Sequence, residues 1–323
     1  MKKLLIAAVV ITALLVFATQ KQEEDTIIIY SSMEQFRNDA LQEQLNDRYK
    51  DFKVFVMYMP TAKAAAKISV EKTSSDADIV VGLETAYLEK IKDSLAVVEP
   101  YSKLDYLDDV AKHDDRYVIW ERQAGSIIVN QDILKKHHLQ APKTYEDLCK
   151  PEYKGLVAMP DPKSSGTGYF FYKNLVNNWG KEKTIDYIDR LSKNIKQFTE
   201  SGSGPVKMLI QGEIAVGLGL TFQGVNELNN GNPFTLSEPE FGSPYSLTGT
   251  SMIKGREKDE RIKDVFDFII NDFLIYDKEN FSPETIYKNQ VNKMEHYPNW
   301  TFGNMNGIAD IKEKERLLSI WKY

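Results

Sequence analysis

The 323-residue chain carries 41 Lys and Arg against 47 Asp and Glu, a formal net charge of −6, with four His and one Cys. A general nucleic-acid binder needs a basic excess or stripe, and a single cysteine excludes an intrachain disulfide framework and a Cys-rich metal site. With 42% hydrophobic and 27% charged residues the composition is that of an ordinary globular protein, and the length suggests about two domains.

Lys2 and Lys3 precede an uncharged apolar run over residues 4–17, which gives way to the polar stretch 20–25. The run is shorter than the about 20 residues of a comfortable membrane span, so residues 1–21 are expected to be a secretory signal peptide or a retained N-terminal anchor. A buried N-terminal helix is the bland alternative, and the abrupt switch to Gln-Lys-Gln-Glu-Glu argues against it. The chain is therefore expected to be exported, to the periplasm or the extracellular face of the cell membrane. No cysteine follows the run that could carry a lipid.

Short β-rich runs predict strands over residues 26–30, 53–59, 77–82, 126–130, 155–159, 213–219 and 247–253. Runs such as TIIIY and ADIVVG are continuously apolar, which suits strands covered on both faces. Helices are predicted over residues 33–49, 62–72, 85–93, 168–178, 181–193 and 259–273. The layout is α/β, with mainly parallel sheets flanked by helices. No flexible linker separates two domains, so the chain is expected to cross between lobes through ordered strands or short hinges.

Polar clusters fall after strands and before helices, where open α/β sheets place ligands. Ser31-Ser32 follows TIIIY, and Ser32 with Gln35 reads equally as a capping box. Ser164-Ser165-Gly166-Thr167-Gly168 follows GLVAMPDP and leads into the aromatic run YFFY. Its small residues free backbone N–H groups at a helix start, as a phosphate cradle requires, but no lysine stands where a Walker A loop has one. Ser201-Gly202-Ser203-Gly204 precedes Pro205, which suits a first helical position. Three such starts point to convergence on one anion, with independent capping as the alternative.

Catalytic signatures are missing. His113, His137, His138 and His296 lie in polar segments without HExxH, a nucleophile elbow or a Cys-His pairing. The run Asp105, Asp108, Asp109, Asp114, Asp115 reads as a solvated face. Cys149 has no histidine nearby in sequence and reads as an inert thiol. No catalytic residue, metal site or cofactor is expected.

Three segments together resemble the extracellular solute-binding proteins of ABC importers: PKTYEDLCKPEYKGLVAMPDPKSSGTG, TESGSGPVKMLIQGEIAVGLGLTFQG and GSPYSLTGTSMIKG. The likeness is to the group of ferric-ion, phosphonate, sugar-phosphate and thiamine binders, and it runs from about Thr26 to Phe273. It implies a two-lobed type II periplasmic-binding-protein fold, with lobe one at residues 22–122 and 239–275, lobe two at 123–238, and C-terminal helices at 276–323 packing across the lobes. It also implies a non-enzymatic monomer working with a permease partner, and the charge balance already speaks against nucleic acid.

Ferric members of this family carry adjacent tyrosines where this chain reads Leu220-Thr221-Phe222-Gln223, so the phenolate ligands are absent. The retained Ser/Thr/Gly cradles, with Ser31, Ser32 and Thr61 from lobe one, resemble the phosphate- and phosphonate-binding members. The resemblance thus implies a small anionic solute of the sugar-phosphate or aminoethylphosphonate type, held by Ser164, Ser165, Gly166, Thr167, Gly168, Ser201, Gly202 and Ser203. Thr221, Phe222 and Gln223 would flank it. Glu84 is open between contacting an ammonium or hydroxyl of the ligand and serving as the acid at a helix start. Trp120 and Arg122, in VIWERQAG, are further candidates for stacking and for a phosphate oxygen, or else hinge packing. The rivals are ferric ion held with a synergistic anion, or an organic cation such as thiamine or a polyamine in an aromatic box of Trp120, Tyr30 and Phe222, and, in another class, an exported phosphoesterase.

Overall fold

The computed structural model describes residues 26–98, 104–110 and 115–323. The expected signal or anchor at 1–21 lies outside them, as do His113 and Asp114. Nine strands are present among the described residues: β1 (Thr26–Ser31), β2 (Lys53–Tyr58), β3 (Ile79–Glu84), β4 (Val118–Asn130), β5 (Val157–Pro160), β6 (Ile195–Thr199), β7 (Val216–Leu220), β8 (Phe234–Ser237) and β9 (Tyr245–Met252). They follow the path β2-β1-β3-β9-β4-β7-β5-β6, with β8 also on β4.

The long strand β4 organises the molecule. Its first part, Val118 to Ala124, pairs with β9, and its last part, Gly125 to Asn130, pairs with β7 and β8. One continuous strand thus belongs to two sheets, each with its own core. The first core gathers Ile29, Val80, Leu83, Trp120 and Phe273, and the second Val157, Phe170, Phe171, Tyr187 and Leu218. Parallel pairings occur at β1 with β2 and β3, and at β5 with β6 and β7. The pairings through β4 and β9 are antiparallel, so each sheet is parallel away from the crossing and mixed at it.

Local sequence explains most elements. TIIIYS and IVVGLE are rich in β-branched residues and largely buried, and β3 has every residue buried, as suits an interior strand. The helix Gly166–Trp179 buries every residue from Thr167 through Leu175, Lys173 and Asn174 included, since it lies between the second sheet and the C-terminal tail. There Tyr172 meets Trp321 edge to face at 5.2 Å. The expected helix over 259–273 continues as Glu260–Phe268, a π-turn at Ile269–Phe273 and Leu274–Asn280. The π-turn falls where Ile269, Ile270 and Phe273 are all fully buried. No helix among the described residues is long and apolar enough to cross a membrane.

The tail divides its contacts. Ile286 and Tyr287 join the first core, while Met305, Leu317 and Trp321 join the second. The helix Ile311–Leu318 is capped by Asp310, whose side chain accepts from the amides of Lys312 and Glu313.

Candidate functional site

A cavity of about 810 Å³ opens between the two sheets at the carboxyl ends of their strands. From the first sheet come Ser32, Thr61 and Glu84, and from the second come Ser164, Ser165, Gly166, Thr167, Ser201, Gly202, Ser203, Phe222 and Gln223. Two cradles far apart in sequence are in contact here: a Cβ on Gly202 would stand 2.2 Å from Thr167 Oγ1. Only a residue without a side chain allows that approach.

The individual hydroxyls are held in different ways. Ser32 Oγ donates to Met59 O at 2.8 Å, and the following helix begins at Gln35 without a side-chain cap, so the capping-box alternative is corrected. Thr61 Oγ1 accepts from Glu84 N at 3.1 Å, which ties the ends of β2 and β3 together. Ser201 and Ser203 share a hydrogen bond of 3.1 Å. Ser165 precedes the helix Gly166–Trp179 but makes no side-chain cap bond, which leaves the first-turn amides free for another acceptor.

Five expected residues do not line the cavity. Ser31 is fully buried, and its Oγ accepts from Met33 N. Gly168 is pressed onto the end of β5, where a Cβ would stand 2.4 Å from Pro160 O. Thr221 is buried with an unpartnered hydroxyl. Trp120 is in the first core, stacked on Phe273 with ring centroids 6.0 Å apart. Arg122 points to the opposite side of β4, ion-paired to Asp109 with its guanidinium 4.2 Å from the Phe302 ring, and it lines a separate cavity of about 310 Å³. These last two are packing residues of β4. The aromatic box of the cation rival is not assembled either, because Tyr30 is buried and donates to Asp76, leaving Phe222 alone on the cavity.

Glu84 lies where both expected roles require, at a helix start and on the cavity. It precedes the helix Thr85–Ile91 but caps nothing; Oε2 pairs with Lys314 Nζ, and Oε1 finds no partner within the protein. Oε1 lies against the start of the Gly166–Trp179 helix, so close that a Cβ on Gly166 would meet it at 1.5 Å.

Sequence reading missed Glu34, Gln123, Lys207, Thr248 and Phe281, all on the cavity. Thr248 is 1% exposed in β9, and its Oγ1, like Gln223 Oε1, lacks a protein partner. Buried polar atoms without partners that face a cavity are a mark of a ligand site. The lining carries Glu34, Asp39, Glu84, Glu200 and Glu227 against Lys207. Glu34 is tied to Arg37 at 2.9 Å and Glu84 to Lys314, while Asp39 and Glu200 are exposed at the mouth. The floor is therefore charge-compensated and the rim acidic.

Behind the floor lies a buried ion network. Arg37 donates to both oxygens of Asp277 at 2.7 Å and to Glu121 at 2.7 and 3.2 Å, and Lys278 stands 2.9 Å from Asp277. Burial pushes the Glu121 carboxyl up, but Arg37 and Lys278 outweigh it and hold it down at about 2. A carboxyl depressed below its ordinary 4.5 contributes stability that is complete above that pH and is lost as the pH falls toward about 2. Burial raises the Glu34 carboxyl, so its contribution runs the other way. Glu121→Gln is expected to flatten the loss of stability between pH 4.5 and 2, read by urea unfolding at three pH values; an unchanged acid limb would place that titration elsewhere.

Cys149 is half-buried, and burial pushes its thiol up to about 11, which leaves it a poor nucleophile. Among the described residues no group of three His, Cys, Asp or Glu could hold a metal ion. His296 Nδ1 lies 2.7 Å from Asn229 Oδ1. Of the acidic run, Asp105 and Asp108 pair with Lys288 and Asp109 with Arg122.

Two α/β lobes sharing crossing strands, with a cavity between them, define the type II periplasmic-binding-protein fold. Residues 75–298 match the bacterial extracellular solute-binding proteins, and the chain belongs to that family. Its members bind small solutes outside the cytoplasm and serve ABC importers. An uncharacterized protein of Haemophilus influenzae is 28% identical over 254 residues, 76% of this chain and 72% of that one. Among solved structures, the periplasmic binding protein P5PA is 22% identical with a TM-score of 0.79, covering 92% of this chain and 98% of that one. AfuA of Actinobacillus pleuropneumoniae, solved with exogenous fructose-6-phosphate bound, is 23% identical with a TM-score of 0.78, covering 92% and 97%. A periplasmic thiamin binding protein is 13% identical with a TM-score of 0.78, covering 92% and 95%. At these identities the likeness carries the fold alone.

Proposed function

We propose that this protein captures a small phosphorylated solute, of the sugar-phosphate type, in the cleft between its lobes and delivers it to an ABC permease without turning it over. The observation that carries the reading is the convergence of two Ser/Thr/Gly cradles on one cavity, with Gly202 against Thr167 and an uncapped 14-residue helix starting between them. Free amides at a helix start and several hydroxyls suit a phosphate, and they need no net positive charge. Lys207, on the same cavity, adds one cation. The acidic rim at Asp39 and Glu200 suits the hydroxyls of a sugar more than a second anionic group. The structure of AfuA with fructose-6-phosphate adds support from a relative of the same fold.

On this reading the lobes divide near residues 123 and 239, and closure brings Ser32 and Thr61 onto a ligand first held by the other lobe. The protein works as a monomer, on the outer side of the membrane, after loss or retention of residues 1–21.

Calorimetric titration with fructose 6-phosphate, aminoethylphosphonate, thiamine and ferric ion tests the reading. Binding of fructose 6-phosphate is expected, weakened about 10- to 100-fold by Thr167→Val or Ser201→Ala, the range for hydrogen bonds to a charged group. Tight iron binding with no response to either phosphorus compound would overturn it. So would turnover of a chromogenic phosphate ester.

A further inference from the structure

The helix Ile311–Leu318 is seated on the second lobe and reaches into the first. Leu317 and Trp321 pack in the second core, and Lys322 and Tyr323 bind Asp189 at 2.7 and 2.8 Å. Glu313 pairs with Lys173 of the same lobe at 2.9 Å. The next residue turns the other way: Lys314 is 1% exposed and ion-paired to Glu84 at the end of β3, with Glu315 meeting Lys90 at 2.7 Å beside it.

The Lys314 ammonium is enclosed on three sides. Its Nζ lies 4.5 Å from the ring centroid of Tyr87, in the first lobe, and 4.3 Å from that of Tyr169, in the second. Two aromatic faces and a carboxylate are what an ammonium ion needs when it leaves water. Neither phenol competes as an anion, since burial raises both, with Glu84 adding to the effect.

We propose that Glu84, Tyr87 and Tyr169 form a seat for a primary ammonium ion across the two lobes, filled in cis by Lys314 of the C-terminal helix. The seat has two consequences. It clasps the lobes together, because its walls come from both and its occupant from the tail. It also sets ligand class: Glu84 already has its cation, so its free oxygen Oε1, against the Gly166 end, suits a solute hydroxyl more than a second ammonium ion. This second consequence rests on the phosphate reading above and narrows it to phosphorylated sugars over aminoalkylphosphonates.

Lys314→Ala in the full chain opens the seat to a small alkylammonium ion. Thermal unfolding with n-butylammonium chloride, against equal sodium chloride, is expected to show a saturable rise in midpoint of about 2–4 °C in this variant. Wild type, with its seat filled, and Lys314→Ala/Glu84→Gln, with its carboxylate removed, are expected not to respond. If Lys314→Ala does not fold alone, n-butylammonium is expected to restore its refolding from urea. No response of Lys314→Ala in either format, or an equal response of the double variant, would overturn the seat. For ligand class, wild type is expected to bind fructose 6-phosphate at least about 10-fold more tightly than aminoethylphosphonate, and the reverse order would overturn that consequence. If wild type binds neither compound, the phosphate reading fails while the alkylammonium result still decides the seat.

Discussion

Arg37→Met is expected to destabilise the protein by about 3–5 kcal/mol, read as a lowered urea midpoint. The guanidinium is fully buried and makes hydrogen bonds to Glu34, Glu121 and Asp277. Burial works against its charge, but the three carboxylates hold it firmly protonated. Replacing both members of a buried pair by apolar groups is often tolerated; removing one strands the other. Here the loss leaves Glu121 and Asp277, 1% and 0% exposed, with Lys278 as their remaining cation. The three carboxylates come from the start of the helix Gln35–Arg48, from β4 and from the helix Leu274–Asn280, so the damage falls on the crossing between lobes. Arg37→Lys keeps the charge but not the two-pronged geometry, and is expected to recover part of the loss. A change below about 1 kcal/mol for Arg37→Met would show that the network does not behave as a buried one.

Gly168→Ala carries the second large effect. An added Cβ would stand 2.4 Å from Pro160 O and 2.7 Å from both Asp161 C and Pro162 N, all backbone atoms with no side chain to yield. The helix Gly166–Trp179 would have to lift from the end of β5, at a cost of about 1–3 kcal/mol for forced overpacking. Because that same helix start supplies Gly166 and Thr167 to the cavity, the variant is expected to lose both stability and fructose 6-phosphate affinity. Gly202→Ala meets the Thr167 side chain in place of three backbone atoms and is expected to lose affinity with less loss of stability. Equal stability of wild type and Gly168→Ala would contradict the close approach on which this rests.

Local chemistry makes the cradles legible in the amino-acid sequence. Small hydroxylated residues between a strand and a helix mean the same thing wherever they occur, and Ser164, Ser165, Thr167, Ser201 and Ser203 do come together on one cavity. The β-branched runs of β1 and β3 are as plain. What stays hidden depends on distant partners. The sequence places only residues 126–130 in a strand, yet β4 starts at Val118, because Glu121 and Arg122 interrupt the apolar pattern and their partners Arg37, Asp277, Asp109 and Phe302 come from elsewhere in the chain. Strands β6 and β8 escape for a different reason: IKQFT and FTLS are short and partly exposed, and β6 ends the sheet path. The helix Thr221–Asn229 escapes because Thr221, Gly224, Val225 and Asn226 are weak helix formers. Gly224 is needed there all the same, since a Cβ would stand 2.8 Å from Ile128 and 2.9 Å from Leu236. Lys314 is one lysine among several charges in IKEKERLL, and nothing in that string marks it as the one that turns inward.

The strand path bears on how such a molecule is made. In the first sheet β9 lies between β3 and β4, although it follows them in the chain by a whole lobe. Until β9 has been synthesised, β3 and β4 have no common neighbour, and that sheet is a split one with an unpaired seam along its middle. The second sheet draws all its strands from one uninterrupted stretch, and only the packing of its core waits for the tail. A late-arriving central strand acts as a timer, holding the first sheet unfinished until about three-quarters of the chain has been made.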